Sequence, residues 1–549
     1  MGTNDVTTAT DLHNVDSSTE KPTDGLKLRT LGTVRLRHHE TNEIILIPTP
    51  SKDPNDPLNW SKAYKYYMAT VICLAMLMCN FLAAGPTIAI ASTAVDFFPP
   101  PATPVSAAIS KVAYFFTTTA LLQGTSNFFW VPLTNKFGRR PIYVTSYAIY
   151  FVCCIWLIFE KSYGGFLAGR ILIGIGAGAA ETIAPVSIAD VFFLHERGFV
   201  MSMYTCFLSV GVALGILIDG LIVIDHHWRV IYQVAAGLIG FVLLLAFFTF
   251  PETAYIREIP PANVAESRTV EKPQGSVGSD IESSAPSAPP PKKETFFQSL
   301  KIYHRVWTDE SLVKMFVRPL GLILLPPVLW AALVQSVTIG FVVAVTSNVA
   351  PAFTAAYGFQ PWQVGLCFIA AIIGSLLGIP AGGQLADITA DWFTKRNGGI
   401  RVPEMRLPAM MLCLITAPLA LILYGVGIEK QLHWICPTIG LGLLNFSISQ
   451  GTNVCLVYVI DAYRPVAGEI TLAVMGFKSM FGFLLSFYTN PWVEQSGYLN
   501  AYGAMAGIAA AVLLMWIPLY IWGKAIRHAT WNWSILSYIH WEDDREVGE

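Results

Sequence analysis

The sequence predicts an all-α membrane protein with twelve transmembrane helices in two pseudo-symmetric six-helix bundles. Three observations carry this prediction. Hydrophobic residues make up 54% of the 549 residues and charged residues only 13%, against roughly 25% charged residues in soluble domains. Apolar segments long enough to cross a bilayer recur along the chain. A polar stretch in the middle separates six of them from six more.

Charge and cysteine usage exclude several other classes of protein. The 35 basic and 37 acidic residues leave a net charge of -2, which gives no field for binding a nucleic acid. The nine cysteines lie in or beside apolar segments, without the spacing of a zinc site, a redox motif or a disulfide framework. We therefore expect no metal, no other cofactor and no nucleic-acid partner.

Each predicted span contains the roughly 20 mostly apolar residues that a transmembrane helix needs. Spans one to six lie at 66–90, 109–133, 141–159, 166–190, 200–222 and 230–250. Spans seven to twelve lie at 319–345, 363–385, 407–427, 433–458, 469–491 and 501–523. The chain is thus divided into a largely disordered N-terminal tail (1–64), a first bundle (65–250), a linker (251–318), a second bundle (319–523) and a C-terminal tail (524–549).

The linker contains two kinds of sequence. Its middle, 276–293, is rich in Ser and Pro, which predicts a disordered chain. Residues 295–316 interleave aromatic and aliphatic side chains with basic ones. We expect a helix there on the inner membrane surface, with a plain polar linker as the alternative.

The distribution of loop charges sets the orientation, because Lys and Arg are enriched in cytosolic loops. With the N-terminus inside, the predicted outer segments carry only Lys111, Lys161, Arg229 and Lys430. The predicted inner segments carry Lys136, Arg139, Arg140, Arg197, Lys395, Arg396, Arg401, Arg406, Arg464, Lys524 and Arg527. Both termini and the linker are therefore expected in the cytosol.

The two halves repeat one pattern at their inner ends. A basic turn follows span two at 135–140, and another follows span eight at 395–401. Span four ends at Asp190 and span ten at Asp461. Two similar halves with sites at their interface are typical of secondary transporters.

These residues resemble the major facilitator superfamily. Residues 135–140 (Asn-Lys-Phe-Gly-Arg-Arg) resemble its loop signature, and residues 170–178 (Arg-Ile-Leu-Ile-Gly-Ile-Gly-Ala-Gly) resemble its span-four signature. The stretches DPNDPLNWS, AETIAPVSIADVFFLHERG, TKRNGGIRVPEMRLP and YVIDAYRPVAGE resemble fungal members of the twelve-helix drug:proton antiporter branch. The resemblance covers nearly the whole chain beyond residue 48 and implies transport by alternating access.

Two departures from the family signatures bear on function. The loop aspartate is replaced by Asn135, which weakens a charge relay in the first half, whereas Asp387 keeps the carboxylate in the second. Span five keeps the glycines of the antiporter signature between Gly211 and Gly220 but lacks its proline. The resemblance therefore leaves the direction of transport open.

Two ionisable residues are predicted deep in the membrane, where charge is costly and marks function. Glu181 lies near the middle of span four, and a carboxyl there can load and release a proton. The alternative is that the Glu181 carboxyl only forms a structural hydrogen bond to a neighbouring helix. Lys478 lies inside span eleven, where it pairs with Glu181 or meets an anionic substrate, unless it snorkels to the surface. We expect Glu181 to couple protons and Lys478 to contact substrate.

Charged residues near span ends are assigned to coupling and gating. The resemblance implies that Arg170 supports proton coupling, with an interfacial anchor as the alternative. Inner ion pairs are expected to form in the outward-open state and to break on inward opening, unless they are static tethers. The gating residues are Asn135, Arg139, Arg140, Asp190, Arg197, Asp387, Asp461 and Arg464. Asp219, near the outer end of span five, is expected to contact water.

Uncharged polar residues inside the spans need partners in lipid, so each is expected to contact substrate or to bridge helices. They are Asn80, Gln123, Asn127, Gln335, Asn445, Gln450 and Asn453. The glycines Gly174, Gly176 and Gly178 lie inside span four with no preceding strand. This context indicates close helix packing rather than a nucleotide-binding loop.

The sequence favours a proton-coupled carrier over other membrane proteins. It lacks a nucleotide-binding loop and an enzyme motif in a suitable context, and the six-plus-six repeat does not suit a receptor or channel. We expect efflux of a drug, toxin or secondary metabolite by a monomer in the lipid bilayer of the plasma membrane. Uptake of a polyamine or another organic cation is the alternative function, and the vacuolar membrane is the alternative location.

Overall fold

The computed structural model describes residues 34–35, 50–51, 53–99, 105–255, 295, 298, 300–303, 305–308, 310–397, 400–463, 466–531 and 533. Its regular structure is helical apart from one short antiparallel pairing. In that pairing, β1 (Val34–Arg35) lies beside β2 (Ile400–Arg401), with Val34 opposite Arg401. The pairing attaches the N-terminal segment to the loop between spans eight and nine.

The first bundle contains spans one to six. Span one comprises Lys62–Ala84, a 3₁₀ turn at Gly85–Ala89 and Ile90–Phe97, and span two comprises Val105–Thr125 and Asn127–Phe137. Spans three to six are Arg139–Phe159, Tyr163–Val191, Leu194–Ile222 and Val230–Thr249. Pro86 cannot donate an interior helical hydrogen bond, which explains the change of helix type within span one.

The second bundle contains the remaining spans. Span seven comprises Pro326–Gln335, a π turn at Ser336–Gly340 and Phe341–Tyr357. Span eight comprises Pro361–Cys367, Ile369–Gly382 and Gln384–Arg396, and span nine comprises a 3₁₀ turn at Pro403–Ala409 and Met410–Glu429. Span ten comprises Ile435–Ser447, a π turn at Ile448–Thr452 and Asn453–Ala462. The chain ends with Ala467–Leu514 and Trp516–Trp531.

The helices agree with the predicted twelve-span architecture. Ten helical runs of the described chain are long and apolar enough to cross a membrane. The last of them, Ala467–Thr530, holds both span eleven and span twelve, because Gly497 interrupts it with φ 77° and ψ 163°. Span two is not among these ten runs. The predicted all-α fold class is confirmed.

Several predicted bounds were wrong around the linker. Leu312–Leu322 forms a separate helix, here called the linker helix, and span seven begins only at Pro326 rather than at 319. The residue before a proline avoids the α region, so Leu325 cannot continue the linker helix into span seven. Residues 301–303 and 305–308 are not helical, so the predicted 295–316 helix is not continuous, and its last part, from Leu312, belongs to the linker helix. The final helix extends to Trp531, beyond the predicted 523.

The glycines of span four pack against the backbone of neighbouring spans. A Cβ at Gly178 would overlap the Gln123 carbonyl on span two, and one at Gly176 would lie 2.8 Å from the Tyr150 nitrogen on span three. The interpretation of these glycines as helix-packing residues is therefore confirmed. They hold Glu181, one turn further along, at a fixed depth between spans.

Candidate functional site

A cavity of about 350 Å³ lies between the two halves of the protein. Spans one, two, four and five line one side, and spans seven, eight, ten and eleven line the other. Most of its wall is apolar or small, with Ala83, Ile88, Phe116, Val212, Ile339, Val343 and Phe483 among the lining residues. The π turns of spans seven and ten contribute Gly340 and Ile448. No sequence pattern predicted these π turns. Such turns occur frequently at functional sites.

The cavity occupies the outer half of the predicted membrane. Ala91, Ile109, Thr354 and Asn490 line it near the ends of their spans that face the predicted outside. Glu181, at the middle of span four, lines the opposite end of the cavity. Beyond this point Thr205 on span five donates to the Ser449 carbonyl on span ten at 3.2 Å, so the two halves are in contact there. With the predicted orientation, the cavity therefore faces outward.

Two opposite charges meet at the inner end of the cavity. The Lys478 Nζ on span eleven donates a hydrogen bond to the Glu181 Oε1 on span four. Both side chains line the cavity, yet they are only 5% and 2% exposed. The Tyr204 hydroxyl donates to the Glu181 backbone carbonyl at 2.8 Å and fixes this point of span four. The ion pair therefore links the first half directly to the second.

Three of the predicted polar residues join this pair in the cavity wall. Gln123 donates from Nε2 to the Asn80 Oδ1 at 3.1 Å, so spans one and two are tied together. Asn445 accepts from the Ser209 hydroxyl at 2.6 Å, which ties span ten to span five. The Asn80 and Asn445 amide nitrogens also donate to the Met76 and Leu441 carbonyls, at 3.5 and 2.8 Å. The three amides thus place hydrogen-bonding groups in an otherwise mainly apolar wall.

The other four polar residues do not line this cavity. Asn127 accepts from Thr182 at 2.7 Å, and Gln450 donates to the Ala409 carbonyl at 2.7 Å. Asn453 donates to the Gly382 carbonyl at 2.8 Å. Gln335 is fully buried within the second bundle. Asn127, Gln450 and Asn453 thus bridge helices, as buried polar groups in lipid tend to. Neither amide atom of Gln335 has a hydrogen-bond partner within the described residues.

An ion pair closes the inner end of the first half. The Arg139 Nε, at the start of span three, lies 3.0 Å from the Asp190 Oδ2 at the end of span four. Thr253 donates to the same oxygen at 3.3 Å. Both charged side chains are nearly inaccessible to solvent, at 2% and 0% exposed. Two of the predicted gating residues are thus in direct contact.

The second half repeats this arrangement with a residue that the sequence analysis did not select. The Arg406 Nη2, in the first turn of span nine, lies 2.7 Å from the Asp387 Oδ1, and its Nε lies 3.6 Å from the Asp461 Oδ2. Arg406 thus contacts the end of span ten as Arg139 contacts the end of span four. Its position directly before the predicted start of span nine, at 407, was the available signal. Arg464, which was predicted for this role, lies outside the described residues.

Asp387 also lies at the contact between the two halves. A Cβ on Gly198, at the start of span five, would overlap its carboxylate. Nearby, Ser202 on span five donates to the Ile379 carbonyl on span eight at 2.8 Å. The inner ends of spans five and eight are therefore packed together, and the Asp387 carboxylate is held between Gly198 and Arg406.

Two of the predicted gating arginines contact carbonyls at the ends of helices. Arg140 donates to the Phe247 carbonyl at 2.7 Å and to the Phe250 carbonyl, and so caps the end of span six. Arg197 donates to the Ala189 and Phe192 carbonyls and caps the end of span four. Asn135 makes no hydrogen bond or ion pair within the described chain. Carbonyls at helix ends attract such cations because of the helix dipole.

Glu252 supplies the carboxylate that the first basic turn lacks. It accepts from the backbone nitrogens of Arg139 and Arg140 at 2.8 and 3.2 Å. It therefore caps the start of span three from the segment after span six. Burial raises the pKa of Glu252, while the backbone hydrogen bonds act in the opposite direction.

Arg170 is fully buried, which excludes the alternative interpretation that it anchors span four at the membrane interface. Its Nη1 donates to the Leu82 carbonyl at 2.9 Å and its Nε to the Phe115 carbonyl at 3.1 Å. Asp219 is also fully buried, and the expectation that it contacts water was wrong.

The inner surface carries further ion pairs that the sequence did not reveal. Arg318 of the linker helix lies 3.2 Å from Glu469 at the start of span eleven and 3.3 Å from Glu310. Arg527 lies 2.8 Å from Glu404, which attaches the last helix to the first turn of span nine. These pairs fasten the linker and the C-terminal helix to the second bundle. Among the described residues, no group of three His, Cys, Asp or Glu side chains could hold a metal ion.

Comparison with known proteins places this geometry in a family. The family model described as Major Facilitator Superfamily matches residues 70–488. An uncharacterized MFS-type transporter of Schizosaccharomyces pombe is 26% identical over 539 residues, which cover 90% of this chain and 89% of that protein. Protein HOL1 of Saccharomyces cerevisiae is 24% identical over 553 residues, which cover 90% of this chain and 92% of that protein.

A solved structure shares the fold. The proton:xylose symporter XylE bound to 6-bromo-6-deoxy-D-glucose matches with a TM-score of 0.58 and 17% identity, over 84% of this chain and 97% of that one. At this identity the likeness concerns the fold alone.

Proposed function

The chain belongs to the major facilitator superfamily, and we propose that this member exports a small, largely apolar organic molecule in exchange for protons. Members of this family are multi-pass membrane transporters that work by alternating access, and they are not enzymes. The observation that carries the proposal is the Glu181–Lys478 ion pair, which lies at the inner end of the cavity between the two halves.

The pair gives a physical route from proton binding to movement of the halves. An ionised Glu181 holds span four against span eleven through Lys478. A proton on Glu181 removes the attraction and leaves the Lys478 ammonium free to be hydrated or to contact a bound molecule. Because the two residues belong to different halves, the protonation state changes the contact on which their relative rotation depends.

The inner ion pairs account for the other part of the transport cycle, the opening of the inner side. Arg139–Asp190 and Arg406–Asp461 are formed while the cavity faces outward. Inward opening separates the inner ends of the spans, so these contacts break and their charges become hydrated. The two pairs therefore act as the inner gate, and they occupy equivalent positions in the two halves.

The lining of the cavity supports the proposed class of substrate. Glu181 and Lys478 are its charged lining residues, and they neutralise each other, while most of the other side chains are apolar or small. A polyamine or another multiply charged cation would lose its hydration there without gaining a net negative site. The same wall suits a neutral, mainly apolar molecule with a few polar atoms for Asn80, Gln123 and Asn445. This is the chemistry of many toxins and secondary metabolites, which favours efflux over uptake of an organic cation.

One chain supplies both halves and the whole wall of the cavity, so a monomer is sufficient for the cycle. Efflux from a cell requires the plasma membrane, and we propose that location over the vacuolar membrane.

The experiment that tests the substrate class and the direction together is an untargeted metabolite comparison. Cells with and without the intact gene are grown alike, and small molecules are measured inside the cells and in the medium. Efflux predicts an apolar compound that is depleted from the medium and enriched inside when the gene is removed. If removal of the gene instead left an organic cation enriched in the medium and depleted inside the cells, the protein would be an importer of that cation and the efflux proposal would be wrong.

A further inference from the structure

Asp219 on span five is a buried carboxyl outside the cavity wall, and the cycle described above does not use it. Its side chain has no solvent exposure. Within the described residues, neither of its carboxylate oxygens has a hydrogen-bond partner. An ionised carboxylate in such a place would be costly, because neither water nor a donor stabilises its charge. A neutral carboxylic acid avoids most of this cost.

The surroundings of Asp219 contain one positive charge. Arg170 on span four interacts electrostatically with it, and Tyr232 on span six lies close to both. The Arg170 Nη2 also has no hydrogen-bond partner within the described chain. Span one approaches Asp219 with Gly85, and span eight approaches the neighbouring Gly220 with Pro361. Neither Gly85 nor Pro361 carries a titratable group.

The break in span one lies directly against this carboxyl. A Cβ on Gly85 would overlap the Asp219 Oδ2, so only glycine permits this approach. Ala84, Thr87 and Ile88, from the same break, line the cavity. Movement of the break when the cavity closes would therefore reach Asp219 directly.

We propose that Asp219 is a second proton-binding residue, which is protonated in this outward-facing state and becomes ionised when it pairs with Arg170 later in the transport cycle. The carboxylic acid then releases one proton to water, and the resulting carboxylate accepts a hydrogen bond from the Arg170 Nη2. This inference rests on the proposed proton exchange, to which it adds a second titrating group in the first half, separate from Glu181.

The test is infrared spectroscopy of the purified full-length protein in lipid nanodiscs, titrated between about pH 5 and pH 10. The C=O stretch of a protonated carboxyl separates this group from ionised ones. We expect a band at neutral pH that is lost in Asp219→Asn, is retained in Glu181→Gln, and disappears from the wild type as the pH rises. Asp225→Asn is the matched control, because Asp225 is exposed just beyond the same span. That variant should retain the band.

Two results would overturn the proposal. If wild type and Asp219→Asn had identical carboxyl bands, Asp219 would be ionised in this state. If the band persisted at every pH, Asp219 would be a permanently protonated structural acid. Should Asp219→Asn not fold, aspartate-specific isotope labelling of the wild type would decide, since the band must shift with the label. The infrared bands are measured without transport and do not depend on proton coupling by Glu181. A negative result for Asp219 would therefore leave the proposed function to be tested separately.

Discussion

The Lys478 ammonium on span eleven donates a hydrogen bond to the Glu181 carboxylate on span four, and this contact joins the two halves at the inner end of the cavity. Both groups are almost completely withdrawn from solvent. Each therefore depends on the other, because a buried charge without a partner is strongly destabilising. The predictions below follow from this pair, from the inner gate and from the packing that positions them.

Removal of Lys478 should destabilise the protein, while removal of both partners should not. Lys478→Ala leaves the Glu181 carboxylate unpaired, and we expect a loss of about 3–5 kcal/mol in the free energy of unfolding at neutral pH. The double variant Glu181→Gln/Lys478→Met replaces the pair by neutral groups of similar size and should recover most of that loss. Thermal unfolding in nanodiscs measures both effects. Equal stability of Lys478→Ala and wild type would show that the pair is not formed in the membrane.

The inner gate should control the exposure of the cavity. Asp190→Asn removes the partner of Arg139, which then gains more from hydration in the inward-open state. With Cys436 replaced by serine, an Ala350→Cys substitution places a reporter thiol in the outer cavity wall. Its labelling from outside by an impermeant maleimide should slow by about fivefold or more in Asp190→Asn. An unchanged labelling rate would identify the pair as a static tether.

Arg406 should act like Arg139 in the other half. Arg406→Gln breaks the contacts to Asp387 and Asp461, so labelling of the same reporter should slow to a similar extent. Arg401→Gln is the matched control, because Arg401 lies further from Asp387, at 3.5 Å, and pairs with the exposed Asp391. It should change the rate little. If the control had the larger effect, Arg406 would not be the second-half equivalent of Arg139.

Close packing of span four should be sensitive to a single methyl group. Gly178→Ala would force spans two and four apart at the Gln123 carbonyl, with an expected loss of about 1–3 kcal/mol in stability. Gly237→Ala on span six meets no atom within 4 Å and should be neutral or slightly stabilising. The difference between the two unfolding temperatures measures the effect. Equal temperatures would mean that the two spans have room to separate.

The architecture was predictable because a bilayer imposes length and apolar composition on every span. The bounds around span seven were not, since the linker helix and span seven are both apolar and only the Leu325–Pro326 step divides them. The π turns at Ser336–Gly340 and Ile448–Thr452 also escaped prediction. Their widened hydrogen bonding arises from tertiary packing and leaves no local sequence pattern.

Individual residues of the site could be predicted from the sequence, but the contacts between them could not. Glu181 and Lys478 stand out as charges in apolar segments, yet their contact across 297 positions depends on how the halves dock. The sequence does not tell which face of a helix lines the cavity, so Asn80 and Gln450 looked alike, although only Asn80 lines it. Asp219 was assigned to water because its depth was judged from the span end alone.

The central claim is that Glu181 couples protons to transport, and vesicles reconstituted with wild type or Glu181→Gln test it most directly. Two fluxes of the compound found by the metabolite comparison are measured: accumulation driven by a pH gradient, and exchange of labelled for unlabelled compound without a gradient. We predict that Glu181→Gln abolishes the driven accumulation and keeps the exchange, because the glutamine cannot ionise but leaves the cavity intact. Accumulation that still follows the pH gradient in Glu181→Gln would contradict the account.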